Sequence, residues 1–309
     1  MSGFRRYAFA FGPLAAAALW GGMYVVSKWS FTFVPPATMG FLRVALGGLA
    51  LWLGVRLTGR RTGIDRADWP AFVGLGGWVA LTIATQFLGT ELTNASQGSL
   101  LTVLTPVFAV ALGASVLGER VTRPKAGGIV IAAVGTVIVI AGQYDLTTIA
   151  AGNAASVGLL VVASFAWAGY TVWGVSVVRK YSALIAATYS TIAATPMLAV
   201  LAAVELAVLG RGIASIPVTA ESIFATAYLG LAATAAAWYL WYKGLEFVLQ
   251  PVVGISLGAL LLGERIDPGF VVGSLVVVGG VWLVSRERAD DTDHQQHGND
   301  HQKRNDTNQ

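Results

Sequence analysis

The side chains able to hold a small molecule recur at helical spacing inside long apolar runs. Trp20 and Tyr24 stand at i and i+4, and Trp167, Tyr170 and Trp173 at i, i+3 and i+6, so each set gathers toward one side of a helix. Trp238, Tyr239, Trp241 and Tyr242 close another run beside Lys243. An aromatic belt at a water interface is the first reading of that group, and a pocket contribution from Trp238 the second. Arg43 lies within a run close to Pro35-Pro36, and a charge there is costly unless it reaches water or faces the interior. It either snorkels outward or acts as an inward cation for an anionic solute or a helix C-terminus. Gln86, Gln97, Ser99 and Gln250 are polar at depth, with equal claims to hydrogen-bonding a ligand and to joining helices. The substrate-binding set expected from these positions is Trp20, Tyr24, Arg43, Gln86, Gln97, Trp167, Tyr170 and Trp238.

Catalytic chemistry finds less to work with. Leu117-Gly118-Glu119-Arg120 puts an acid beside a cation, but glycine followed by charges at the end of an apolar run is a helix stop. Glu91 and Glu246 also sit at run ends, so no acid is firmly central and a proton relay has no obvious carrier. His294, His297 and His301 all fall in the polar C-terminal stretch, where a solvated tail outweighs a metal site. The absence of cysteine excludes disulfides, iron–sulfur clusters and thiol catalysis. No metal, no cofactor and no enzymatic activity are expected.

The elements that must position these groups follow from composition. Of 309 residues, 55% are hydrophobic and only 12% charged, with a mean hydropathy of +0.67, against about 25% charged residues in a soluble chain. Arg286 to Gln309 alone holds ten of the 36 charges. Lipid is the solvent that this balance requires. Charge-free intervals run 7–27, 44–55, 69–90, 92–118, 126–144, 146–178, 181–204, 222–242, 247–263 and 268–285. The second extends back to Pro35 through Arg43, so each approaches the roughly 17 to 25 residues that cross a bilayer. The expected fold is all-α and integral to the membrane, with ten transmembrane helices.

Sixteen of the twenty Lys and Arg residues fall on one side of this arrangement when the N-terminus is inside, and Arg211 and Arg265 fall on the other. That asymmetry predicts a multi-pass protein of the cell membrane with both termini cytoplasmic. The run after Arg5 and Arg6 is too long for a signal peptide and reads as an uncleaved first span. Because the basic residues mark run ends and form no patch, the pI near 9.4 points to topology and not to nucleic acid. Residues 289–309 read as a disordered polar cytoplasmic tail.

The chain repeats itself. Leu117-Gly118-Glu119-Arg120-Val121 is matched by Leu262-Gly263-Glu264-Arg265-Ile266, and Thr105-Pro106-Val107 by Gln250-Pro251-Val252, both at an offset of 145. Trp20 in LWGGMYVV meets Trp167 in AWAGYTVW at an offset of 147. Two halves of five helices, 1–144 and 145–288, therefore have inverted topology, an architecture recurrent among secondary transporters. With Trp20-Gly21 in helix 1, Arg43 in helix 2, and Pro-Val followed by Leu-Gly-Glu-Arg in helices 4 and 9, the chain resembles the EamA family of the drug/metabolite transporter superfamily. The resemblance covers about residues 8 to 288. It implies alternating access around a central cavity lined by both halves, and export or exchange of small metabolites, amino acids or drug-like solutes.

One departure opens an alternative. Gly89 precedes Pro106 by 17 residues, whereas Gly244 precedes Pro251 by only seven, so the second half is about ten residues short. Helix 9 is left with 247–263, which barely spans, and a non-transporting scaffold or defective relative is the competing expectation. Gly254-x-x-x-Gly258 and Gly269-x-x-x-Gly273 suit close helix packing within the bundle, with a homodimer face as the second use.

Overall fold

Backbone amides inside hydrocarbon must find partners within their own segment, and every regular element among the described residues is a helix. The computed structural model describes residues 2–57, 63–118, 122–123, 126–131, 134–135, 138, 153–241, 272, 275–276 and 279. The first half supplies α1 (Ser2–Ser30), α2 (Pro36–Leu57) and α3 (Trp69–Leu92). After these come the short α4 (Ala95–Leu101), a 3₁₀ turn at Thr102–Leu104 and α5 (Thr105–Leu117). The second half supplies α6 (Asn153–Tyr181) and α7 (Ala183–Val208). Its next helix has three parts: α8 (Ala220–Ala227), a π-helical segment (Tyr228–Ala236) and α9 (Ala237–Trp241).

Five of these stretches are long and apolar enough to cross a membrane: Pro36–Leu57, Arg66–Leu92, Ala154–Tyr181, Ala183–Val208 and Ala220–Leu240. The expected ninth interval, the two glycine pairs of helices 9 and 10, Glu119, Arg120, Lys243 and the tail lie outside the described residues or at scattered positions within them.

Two intervals expected as regular helices are irregular. The fourth breaks at Thr102–Leu104, just before Pro106, which brings no amide to the ladder. The eighth widens into the π-helical segment, a winding that side-chain periodicity does not reveal. The helix stop at Gly118 is as expected: its φ of 69° and ψ of 21° are left-handed, and its amide donates to the Gly113 carbonyl.

Packing joins the halves. α3 runs along α6 and α7, while α2 lies against α7 and the π-helical segment. Tyr24, Met39, Phe72, Leu75, Phe87, Leu198 and Leu229 fill the interior. Leu49 and Leu53 on α2 and Val200, Val204 and Val208 on α7 are exposed, an outward apolar surface of the kind a bilayer covers. The α2 crossing is tight at Gly47, where a β-carbon would stand 2.6 Å from Thr234 Cγ2 and 3.0 Å from the Gly230 carbonyl. α2 also receives a cap from the other half. Glu205 Oε1 accepts from the Ala37 amide at 2.9 Å, and Oε2 from the Thr38 amide at 2.7 Å and hydroxyl at 2.8 Å. These are the free donors at the positive end of α2, so a carboxylate is the favoured partner.

Gly47→Ala is expected to lower thermal stability in detergent, at a cost of about 1–3 kcal/mol for a β-carbon forced into packed neighbours. Gly54→Ala on the same helix, where nothing lies within 4 Å, leaves the melting temperature unchanged or slightly raised. Glu205→Ala removes all three acceptor contacts and is expected to cost about 1–3 kcal/mol. Its signature is faster hydrogen exchange at Ala37 and Thr38 with the far end of α2 unaltered.

Candidate functional site

Three helices bring aromatic rings to one place between the halves. Trp238 on α9 meets Trp20 of α1 edge-on with centroids 6.1 Å apart, Trp167 of α6 at 5.1 Å, and Tyr170 of α6 at 5.8 Å. Trp167 and Tyr170 stack at 5.2 Å with 21° between planes. Trp238 and Tyr170 are buried, and Trp20 and Trp167 partly so. Trp20 is fixed by more than packing: its indole N–H donates to the Ala233 carbonyl at 2.9 Å.

Ala233 belongs to the π-helical segment, and the next residue holds Arg43. Arg43 Nε donates to Thr234 Oγ1 at 2.9 Å, and the Thr234 hydroxyl donates to the Leu229 carbonyl at 2.8 Å. The guanidinium lies 5.4 Å from the centre of the Phe87 ring. Arg43 is 5% exposed, and its Nη1 has no hydrogen-bond partner among the described residues.

A polar chain runs alongside. Gln86 Nε2 donates to the Tyr24 hydroxyl at 2.7 Å, Tyr24 and Thr102 lie 2.5 Å apart, and Thr102 Oγ1 is 3.0 Å from the Ser99 carbonyl. Each hydroxyl carries one proton, so the order that satisfies all three contacts is Gln86 to Tyr24 to Thr102 to Ser99. Ser27 Oγ and Thr90 Oγ1, on the neighbouring faces of α1 and α3, are buried without a partner among the described residues.

Both ends of the bundle are tied. At the end shared by the α1 C-terminus and the α2 N-terminus, Lys28 donates to the Glu91 carbonyl and stands 3.6 Å from its carboxylate. At the opposite end, Lys180 Nζ lies 2.6 Å from Asp68 Oδ2 and 2.9 Å from Asp65 Oδ2, while the Tyr181 hydroxyl donates to Asp68. The second tie joins the start of α3 to the end of α6.

Trp20, Trp167, Tyr170 and Trp238 are thus brought together, and Tyr24 is bonded to Gln86. Arg43 corrects the snorkelling expectation, because Thr234 meets it inside the bundle. Trp238 corrects the belt expectation: it is buried whereas its neighbour Tyr239 is 45% exposed, as adjacent positions on a helix face apart. Gln97 lies on α4, with its side chain outside the described set. Sequence reasoning missed Thr234, Ala233 and Thr102. Thr234 had a signal, a lone hydroxyl in LGLAATAAAW one turn before Trp238; the Ala233 carbonyl had none.

Comparison with known proteins agrees with this architecture. The EamA-like transporter family matches the chain twice, over residues 8–141 and 154–286. An uncharacterized transporter of Archaeoglobus fulgidus is 29% identical over 281 residues, covering 87% of this chain and 95% of the relative. A probable terminal-alkyne amino-acid exporter of Streptantibioticus cattleyicolor is 27% identical, covering 87% and 93%. A crystal structure with 20% sequence identity superposes with a TM-score of 0.64, covering 89% of this chain and 95% of that one, which shows a shared fold. With apolar helices of spanning length joined through an aromatic contact between halves, and a family match over nearly the whole sequence, this multi-pass membrane protein belongs to the EamA-like transporter family.

Proposed function

We propose that the protein carries small organic solutes across the cell membrane by alternating access, with export as its direction. The observation that carries this reading is the convergence of Trp20, Trp167, Tyr170 and Trp238, from α1, α6 and α9, at a buried contact between the two halves. A site at a repeat interface is reachable from either side when the halves rock. The two successive family matches support two five-helix repeats, 1–144 and 145–288, hence ten spans with both termini cytoplasmic. The basic-residue asymmetry supports the same orientation. The solute class is small metabolites, amino acids or drug-like molecules, a range that includes the amino-acid cargo in the name of the Streptantibioticus relative. Tyr24, Gln86 and Gln97 are assigned to the polar wall of the site, and Arg43 to its charged point.

Rings in contact are worth about 0.5–1.5 kcal/mol per pair beyond their area, so a solute that takes the place of one ring contact is held lightly and released readily. The ties at the two ends suit the same cycle. Lys180 with Asp65 and Asp68 joins the halves at one end, and Lys28 with Glu91 joins α1 to α3 within the first half at the other. Exposed pairs of this kind contribute about 0–1 kcal/mol, little enough to open in each turn.

The test is flux of a metabolite panel in proteoliposomes. The chain is expected to move at least one solute above protein-free vesicles, and background flux across the panel sinks the reading. Trp238→Ala removes the ring contacts to Trp20, Trp167 and Tyr170 and is expected to slow that flux roughly tenfold or more. Tyr239→Ala, on the exposed side of the same turn, leaves it within about twofold of the unsubstituted protein.

A further inference from the structure

We infer that Arg43 is the anchor for one class of solute, a small monocarboxylate whose apolar body rests on the Trp20, Trp167, Tyr170 and Trp238 rings. The inference rests on the transport reading for its biological use, but its binding chemistry stands separately. Arg43 Nε is committed to Thr234, and Phe87 covers one side of the guanidinium. Nη1 remains a charged donor, buried and unpartnered among the described residues. An unmet charged donor in an apolar interior is costly, so the site favours an anion that brings an acceptor.

Several observations narrow the anion. Among the described residues, Lys28 is engaged with Glu91, which leaves Arg43 as the buried cation beside the rings' segment. One charge with an open Nη1, which carries two N–H donors, suits a singly charged carboxylate; phosphate esters, with more charge and more oxygens, call for further cations. Ser27 Oγ and Thr90 Oγ1, on the same two helices as the Tyr24 and Gln86 pair, are also buried and without a partner among the described residues. The apolar end has its place as well. Thr234 lies one helical turn before Trp238, and Ala233 receives Trp20, so the cation and the rings are held by the same segment.

The experiment measures binding to purified protein in detergent by calorimetry. The probes are acetate, isovalerate, phenylacetate and indole-3-acetate, the matching neutral amides, and phenyl phosphate. The expected result is that the best carboxylate binds roughly tenfold or more tighter than its own amide and tighter than phenyl phosphate, with affinity rising from acetate to the aromatic acids. Arg43→Lys is expected to keep part of the preference for acid over amide, and Arg43→Gln to lose it. Because Arg43→Gln strands Thr234 and risks misfolding, the acid and amide pairs on the unsubstituted protein decide the matter by themselves. Equal binding of acid and amide, tighter binding of phenyl phosphate, or no binding across the acids overturns the inference. Carboxylate binding without flux in vesicles leaves the anchor standing and removes the transport reading; flux without carboxylate preference does the reverse.

Discussion

The hydrogen bond from Arg43 to Thr234 governs the interior, because a guanidinium in hydrocarbon is expensive until its donors are met. For Thr234 to accept, its own proton must be spent elsewhere. Thr82, Thr85, Thr188 and Thr191 donate to the carbonyl four residues earlier, the usual habit of a threonine in an α-helix. Thr234 instead donates to Leu229, five residues earlier, as π-helical winding permits. The winding therefore aims Thr234 at Arg43. It also goes with an Ala233 carbonyl that accepts from Trp20, so one segment of the second half fixes a cation on α2 and an indole on α1. Gly47 completes the arrangement by letting α2 approach within reach.

The same economy of polar groups explains the cap on α2. Pro35 and Pro36 start that helix abruptly, and the amides behind them, on the buried Ala37 and Thr38, need acceptors. Glu205 supplies two oxygens to three donors and ties α7 to α2. The Tyr24 chain follows the same logic, with each proton passed to a defined acceptor until it ends on a backbone carbonyl. Among the described residues, Arg43 Nη1, Ser27 Oγ and Thr90 Oγ1 are the buried polar atoms without a partner.

Charge-free intervals located several of the described helices, since hydrocarbon excludes charges, and those helices run a few residues past the charges that close them. The interval 69–90 became Trp69–Leu92, and 181–204 became Ala183–Val208. The repeat made Trp20 and Trp167 legible as equivalent positions, and each meets Trp238. What stayed hidden depended on partners distant in sequence. Arg43 reads as a snorkelling residue until Thr234, 191 positions later, is placed beside it. Trp238 reads as a belt residue because Lys243 is close in sequence, whereas its burial depends on which side of the turn faces α6. The 3₁₀ and π windings are likewise set by what the segments touch and leave no period in the residues themselves.

Pseudo-symmetry supplies the place for a site but not its polarity. The offset of 147 that relates Trp20 to Trp167 carries Arg43 onto Ser190, a buried hydroxyl 3.4 Å from the Tyr170 hydroxyl. The aromatic surface is thus shared by both halves, whereas the cation belongs to the first alone. A symmetric cage would hold a solute in either orientation and offer no net field to select among solutes. On the proposed reading, one guanidinium on one side breaks that equivalence, drawing the charged end of a solute toward α2 and leaving the rings of α6 and α9 for the rest. If the halves are the inverted pair proposed above, specificity follows from what the repeat failed to duplicate, and Arg43 is that residue among those described.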